Sequence, residues 1–311
     1  MILKFGGTCL NTKTNLNATI KRIKKDLKKD KVIVVVSAIG REENTFSTLS
    51  LQKNIDNLSN KEKASLLSIG EVYSSLKLVN ILKTKGINAS YVSVYDIDLK
   101  CDDEYLNANI ISVNKSRIEE YLEKNDVIVI PGFQAINSRN EICLLGKGGS
   151  DYTAIALASL LNEKEVYLFK DVEGIYTTSN NHLTSKIVID KLSYLEALSY
   201  LYYSGEIVQI KALELAQQKS IKVLVNSLLF ESKTTISEEE NSWCIYAILI
   251  IDKKILLFGK TDIYTLTIIK DYLRTIKNIK YVIKPSYIEL SLDEDLIYEV
   301  AIDLHKHFIE N

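Results

Sequence analysis

Six residues, Gly146-Lys147-Gly148-Gly149-Ser150-Asp151, set three glycines, a cation and an acid between an apolar run and an alanine-rich segment. Ile142, Leu144 and Leu145 precede them, and Tyr152 to Ala158 follow with good helix propensity. The pattern reads as strand, anion-binding turn, helix. Glycine lets backbone approach a ligand closely, and free amides at a helix start add partial positive charge, so phosphate or carboxylate is the natural guest. The spacing matches neither the P-loop nor the dinucleotide fingerprint. Taken alone, the stretch reads equally as a turn in which Ser150 or Asp151 caps a helix.

Other turns of small residues follow apolar runs. Gly6-Gly7-Thr8 follows residues 2–5, and Ser37-Ala38-Ile39-Gly40 follows the β-branched run 32–36. Pro131-Gly132-Phe133-Gln134 follows 127–130, and Lys170-Asp171-Val172-Glu173-Gly174-Ile175-Tyr176 follows 166–169. Such turns at the carboxyl ends of strands are where open α/β sheets bind ligands. Lys4 lies inside the first strand; it either meets an anionic partner or reaches solvent at the strand's end. Glu71 follows Gly70 within a helical stretch of apolar residues, where it faces solvent or points into a cleft.

The elements that must carry these residues alternate. Helices are expected over 11–29, 61–85 and, with a break near Ser204-Gly205, 193–218. Strands are expected at 2–5, 32–36, 91–94, 127–130, 142–145, 166–169 and 222–225. This is an α/β fold with a mainly parallel sheet sandwiched by helices. Residues 41–60 are polar and read as a mobile loop. A Ser/Thr/Glu-rich stretch places a linker at 229–241, between a domain over 1–228 and a small α+β module over 242–311. In that module, strands at 244–251 and 254–259 precede a helix, two strands and a closing helix. Residues 246–251 are apolar enough for an edge strand that pairs with another chain, or for an ordinary core strand.

Composition narrows the function. With 39 basic and 40 acidic residues the formal net charge is −1, so no overall field favours nucleic acid or an anionic membrane. The basic run at 21–31 lacks interleaved aromatics and reads as a solvated helix face. Four cysteines without CxxC spacing argue against a zinc site or a disulfide framework. The chain opens on an apolar strand rather than a signal-like stretch, and no apolar run approaches about 18 residues, so a cytoplasmic protein is expected. Only three histidines occur, none in these motifs, which disfavours a histidine-based mechanism.

Lys4 to Thr8, Val34 to Ala38, Gly70-Glu71, Pro131 to Gln134, Gly146 to Asp151 and Asp171 to Tyr176 follow the order of motifs in aspartate kinases. Over residues 1 to about 228 the chain resembles that family, within the amino-acid kinase fold. Its tail resembles a shortened ACT-type regulatory region. The resemblance implies transfer of the ATP γ-phosphoryl to the side-chain carboxylate of aspartate, giving 4-phosphoaspartate, the first step towards lysine, threonine and methionine. It implies ATP and Mg2+ as cofactors, the metal held largely by the nucleotide with no dedicated protein ligands, and a homodimer formed through the C-terminal domain.

By the same resemblance Lys4 bridges the phosphates, and Gly6, Gly7 and Thr8 form the turn beneath the transferred group. Asp151 orients Lys4, with Lys4, Gly7 and Asp151 as the catalytic set. Glu71 receives the substrate ammonium, and Ser37 lines the phosphoryl pocket. Phe133 forms the substrate wall, completed by Thr8, Lys147, Gly148, Gly149 and Ser150. Lys170, Asp171, Gly174 and Tyr176 fall on the nucleotide side.

Departures stand beside these matches. Lys147 replaces an arginine that clasps the substrate carboxylate as a fork, which predicts weaker or altered substrate binding. Lys170 replaces a threonine, and residues 177–181 supply no nucleotide-side arginine. Glu206 aligns with a nucleotide-facing lysine, a loss for which Lys170 is placed to compensate. Two alternatives follow: a catalytically weak paralogue serving as a regulatory or assembly partner, or an amino-acid kinase with a different acid substrate.

Overall fold

The β-branched runs become the centre of a parallel sheet covered on both faces. The computed structural model describes residues 1–40, 46–53, 55–180, 185–205, 207–276 and 278–310. The chain begins with β1 (Ile2–Phe5), α1 (Lys13–Asp26) and β2 (Val32–Val36). It continues through α2 (Thr48–Leu51), α3 (Asn60–Leu67), α4 (Ile69–Thr84) and β3 (Ala89–Tyr91). Next come β4 (Lys100–Cys101), β5 (Ile110–Ser112), α5 (Lys115–Lys124) and β6 (Val127–Pro131). Then follow β7 (Gln134–Ile136), β8 (Ile142–Leu144), α6 (Gly149–Leu161) and β9 (Glu165–Lys170). The sheet is completed by β10 (Lys191–Ser193), α7 (Tyr194–Ser204), α8 (Ile210–Gln218), β11 (Lys222–Ser227) and β12 (Lys233–Ser237).

Eight strands form one sheet in the order β10-β12-β11-β9-β1-β2-β6-β3, and only the β11–β12 pair is antiparallel. Register puts Phe5 opposite Val36 and Phe169, and Val36 opposite Pro131. Four carboxyl ends therefore stop on one line, which brings their turns side by side. Alternate residues build two cores. Ile2, Ile33, Val35 and Ile128 pack with Ala154, Ile155 and Ala158 of α6, while Leu3, Phe5 and Val34 pack with Ile23 of α1 and Leu78 and Leu82 of α4. Each Val, Leu, Ile or Phe side chain among them contributes roughly 1.5–3 kcal/mol by its burial. A smaller sheet, β5-β4-β7-β8, ends at the glycine turn.

The C-terminal part contains β13 (Ile245–Ile251), β14 (Lys254–Gly259), α9 (Ile263–Leu273), β15 (Lys280–Ile283), β16 (Tyr287–Ser291) and α10 (Ile297–His305). Its antiparallel sheet runs β13-β14-β16-β15. One face packs on both helices; the other sends Tyr246, Leu249 and Phe258 into the core of the first part. Among the described residues, no helix is long and apolar enough to cross a membrane.

Three expectations are corrected. The helix over 61–85 is two helices meeting at Ser68, whose hydroxyl bonds back to the Ser65 carbonyl at 2.8 Å. Its buried face carries Gly70, Glu71, Ser74 and Ser75 as well as Leu78 and Leu82, whereas Ile69 and Leu76 are exposed. The linker over 229–241 contains a strand of the main sheet, β12, because Ile236 and Thr234 are apolar or satisfied on their buried side. Of the two readings of 246–251 the core strand holds: it is β13, outermost in its sheet but buried from Ile245 to Leu249, and the Ile248 amide donates to the Thr177 carbonyl at 2.8 Å, the Ile250 amide to Asn180 Oδ1 at 2.9 Å. Part of the expected loop over 41–60 is helical, as α2; residues 41–45 and 54 lie outside the described residues.

The buried Thr234 hydroxyl accepts a hydrogen bond from the Ile175 amide at 2.8 Å. Thr234→Val keeps the shape but strands that amide, so a loss of roughly 1–3 kcal/mol is expected in urea unfolding. A true linker residue would leave the midpoint unchanged.

Candidate active site

The strand-end turns surround two adjoining cavities. One, of about 330 Å³, is lined by Lys4, Gly6, Gly7, Thr8, Lys170 and Asp171. The other, of about 510 Å³, is lined by Glu71, Phe133, Lys147, Gly148, Gly149 and Ser150, with Leu67, Leu106 and Leu144 as an apolar wall. Ser37, Ala38, Thr48 and Leu49 line both and mark the passage between them.

Asp151 sits beneath the first cavity in the first turn of α6, 1% exposed. Lys170 Nζ donates to its Oδ2 at 2.5 Å, and Lys4 Nζ lies 2.8 Å from Oδ1. Among the described residues no hydrogen-bond partner meets Oδ1, so Lys4 is held there as a close ion pair. Burial opposes ionisation of Asp151, but Lys170 and then Lys4 outweigh it and hold the carboxyl below its usual range. Burial depresses the Lys170 ammonium to about 8; Asp151 opposes that shift and Lys4 adds to it. Lys4 has thus found its anionic partner inside the strand rather than at the solvent.

Glycine is required where the turns meet. A Cβ on Gly7 would lie 2.1 Å from the Ala38 carbonyl oxygen, and one on Gly70 2.6 Å from that of Phe46. Gly148, at φ +79°, is the cap residue of α6. Ser150 and Asp151 therefore lie inside the helix rather than capping it, and the Asp151 amide is spent on the Gly148 carbonyl at 2.9 Å. Phe133 also adopts a positive φ, +69°, a strained conformation for an aromatic residue, held by the hydrogen bond its amide donates to Thr153 Oγ1 at 3.1 Å.

In the second cavity Glu71 is 3% exposed. Its Oε1 accepts from the Ala38 amide at 3.0 Å, while Oε2 is buried with no hydrogen-bond partner among the described residues. Burial pushes this carboxyl up to about 8, against the pull of the Ala38 amide. The arrangement invites a cation. Lys147 is exposed at the rim, opposite in charge.

Most of the residues singled out from sequence thus line two joined cavities. Gly174 and Tyr176 line neither. Gly174 packs against Val188 and Thr234, and the Tyr176 carbonyl accepts from the Tyr200 hydroxyl at 2.8 Å. Glu206, Asn181 and His182 lie outside the described residues. Thr48, Leu49 and Gln209 carried no sequence signal. Gln209 packs beneath Gly148 and donates to the Leu145 carbonyl at 3.0 Å, so it shapes the glycine turn from below.

The profile described as "Amino acid kinase family" matches residues 1–227. The chain belongs to the amino acid kinase family. Among the members it is similar to, Aspartokinase 2 of Bacillus subtilis is 32% identical over 244 residues, 78% of this chain and 59% of that protein. The aspartokinase of Geobacillus stearothermophilus is 30% identical over 244 residues, 78% of this chain and 60% of that protein. The chain spans about three-fifths of the length of these curated relatives. Escherichia coli aspartokinase III, crystallised with aspartate and ADP, superposes with a TM-score of 0.65 at 21% identity, over 94% of this chain and 78% of that one. That likeness establishes the amino-acid kinase fold, and the C-terminal antiparallel sheet with its two helices fits an ACT-like domain.

For this family member, Asp151→Ala would leave two buried ammoniums without their shared anion. A loss of roughly 3–5 kcal/mol is expected in urea unfolding. Unchanged stability would contradict the buried ion cluster.

Proposed function

We propose that this chain is an aspartate kinase, transferring the ATP γ-phosphoryl to the side-chain carboxylate of L-aspartate. The observation that carries the reading is the pair of joined cavities, one cationic above Asp151 and one holding a buried, half-satisfied Glu71. The first suits polyphosphate; the second suits an amino acid whose ammonium meets Glu71 Oε2. The names of the relatives point the same way, as do the aspartate and ADP bound to the Escherichia coli enzyme.

A carboxylate is already an ionised nucleophile, so the reaction needs no general base. One substrate carboxylate oxygen bonds to the γ-phosphorus as the bond to the bridging oxygen of ADP breaks. The protein's task is to bring two anions together and neutralise charge on the phosphoryl oxygens. In this reading Lys4 spans the phosphates above Gly6, Gly7 and Thr8, and Lys170 and Asp171 face the nucleotide. Ser37 lines the passage, Phe133, Gly148, Gly149 and Ser150 wall the amino acid, and Lys147 meets its α-carboxylate without the bidentate grip of an arginine. Gly174 and Tyr176 support the nucleotide loop from outside the cavities.

Magnesium fits as an ion carried on the phosphates. No group of three ligating side chains occurs among the described residues, and Asp171 is the one carboxylate among them that lines the phosphate cavity. When bound, the ion would neutralise phosphate charge, with Asp171 as the protein group able to reach it. Supply of lysine, threonine and methionine precursors, an ACT-type regulatory role for the C-terminal part and a homodimer formed through it belong to the same proposal. At the far edge of that sheet β15 exposes Tyr281, Val282 and Ile283.

Two measurements test this reading. In a hydroxamate assay with ATP, Mg2+ and a panel of amino and N-acyl acids, aspartate is expected to be the acceptor and Lys4→Ala to abolish transfer. Transfer to another acid instead would reassign the substrate, and no transfer despite ATP binding would favour a non-catalytic paralogue.

Glu71 adds a pH signature. It is protonated in the free site below about pH 8 and ionises when the substrate ammonium arrives, so aspartate binding at pH 7 should release about one proton, and affinity should rise as pH approaches 8. Calorimetry in buffers of different ionisation enthalpy reads this directly. Binding without proton release would contradict the Glu71 contact.

A further inference from the structure

Asp151 is gripped from two sides, and the cluster it forms is not neutral. Lys4, Lys170 and Asp151 are 5%, 15% and 1% exposed. Two ammoniums and the one buried carboxylate leave an excess of one positive charge at the cavity floor, which the exposed Asp171 at the cavity wall screens from the solvent side. Such an excess is costly unless an anion completes it. Both lysines line the same 330 Å³ cavity, beside the backbone of Gly6 and Gly7, whereas Asp151 lies behind them and lines neither cavity. The carboxylate therefore fixes the two cations from the protein side and leaves their other donors for whatever enters the cavity.

We propose that Lys170 is a catalytic residue of this chain, a second cation that contacts the phosphoryl group in flight together with Lys4, the two held at fixed spacing by one carboxylate. The inference rests on the phosphoryl-transfer reading and deepens it. Lys170 sits at the carboxyl end of β9, paired in register beside the strand that carries Lys4. It is thus mounted on the centre of the sheet rather than on a loop. Charge accumulating on the phosphoryl oxygens and on the bridging oxygen of departing ADP is met by two preorganised ammoniums that need no rearrangement at the moment of transfer. The threonine expected here from the family pattern would offer a hydroxyl and no charge.

The test compares wild type, Lys170→Thr and Lys170→Arg in aspartate phosphorylation at one fixed pH, with thermal melting to verify folding. Lys170→Thr should lower kcat roughly 100-fold with little change in KM for aspartate. Lys170→Arg, which keeps the charge, should retain most activity. A Lys170→Thr enzyme with kcat close to wild type, or a Lys170→Arg enzyme as impaired as Lys170→Thr, would overturn the proposal. Absence of any transfer to aspartate by wild type would instead refute the substrate reading. Lys170 would then be judged by calorimetric titration with MgATP, in which Lys170→Thr must weaken binding at least about fivefold and equal affinity overturns the proposal.

Discussion

One buried carboxylate organises this molecule. Asp151 lies within the first turn of α6, where a negative charge is favoured by the helix dipole, and it reaches the two central strands through Lys4 and Lys170. Asp151 opposes the burial that depresses the Lys170 ammonium, and the two lysines together outweigh the burial that opposes ionisation of Asp151. The site is therefore built as a unit: an acid from the helix, a cation from each of two adjacent strands, and a cavity on the open side.

The rest of the fold serves that arrangement. The register of β1, β2, β6 and β9 stops four strands on one line and gathers Gly6-Gly7-Thr8, Ser37-Ala38, Gly132-Phe133 and Lys170-Asp171 along one edge. Small residues bring the layers close enough to touch: Gly7 under Ala38, Gly70 under Phe46, alanines where α6 crosses the sheet. The C-terminal sheet is fastened to the loop after Tyr176 through Thr177, which meets both Ile248 and, at 2.9 Å from its hydroxyl, the buried His305. The loop after β9 is thus held from both parts of the chain.

Much of this was legible in the residues. Runs such as Val32 to Val36 have one stable use, a strand buried on both faces, and the small-residue turns after them mark the ligand edge. Lys4, by its place within a strand, needed either an anionic partner or a route to solvent, and the strand alone did not decide between them. Other features depend on tertiary contact and leave no local trace. Residues 233–237 look like a polar linker because the hydroxyl of Thr234 becomes an acceptor only when Ile175 is beside it. Residues 246–251 read equally as an edge or a core strand because the loop residues that bond to β13, Thr177 and Asn180, are distant in sequence. Lys170 read as a departure from a pattern, and its bond to Asp151 became visible only with β9 next to β1.

The most direct measurement is a crystal structure of the chain with ADP, Mg2+ and aspartate. The terminal phosphate of the nucleotide is expected within hydrogen-bonding distance of both Lys4 Nζ and Lys170 Nζ, with the amino-acid ammonium on Glu71 Oε2 and its side-chain carboxylate pointing through the passage at Ser37. Nucleotide density elsewhere on the sheet edge, or aspartate bound away from Glu71, would contradict it.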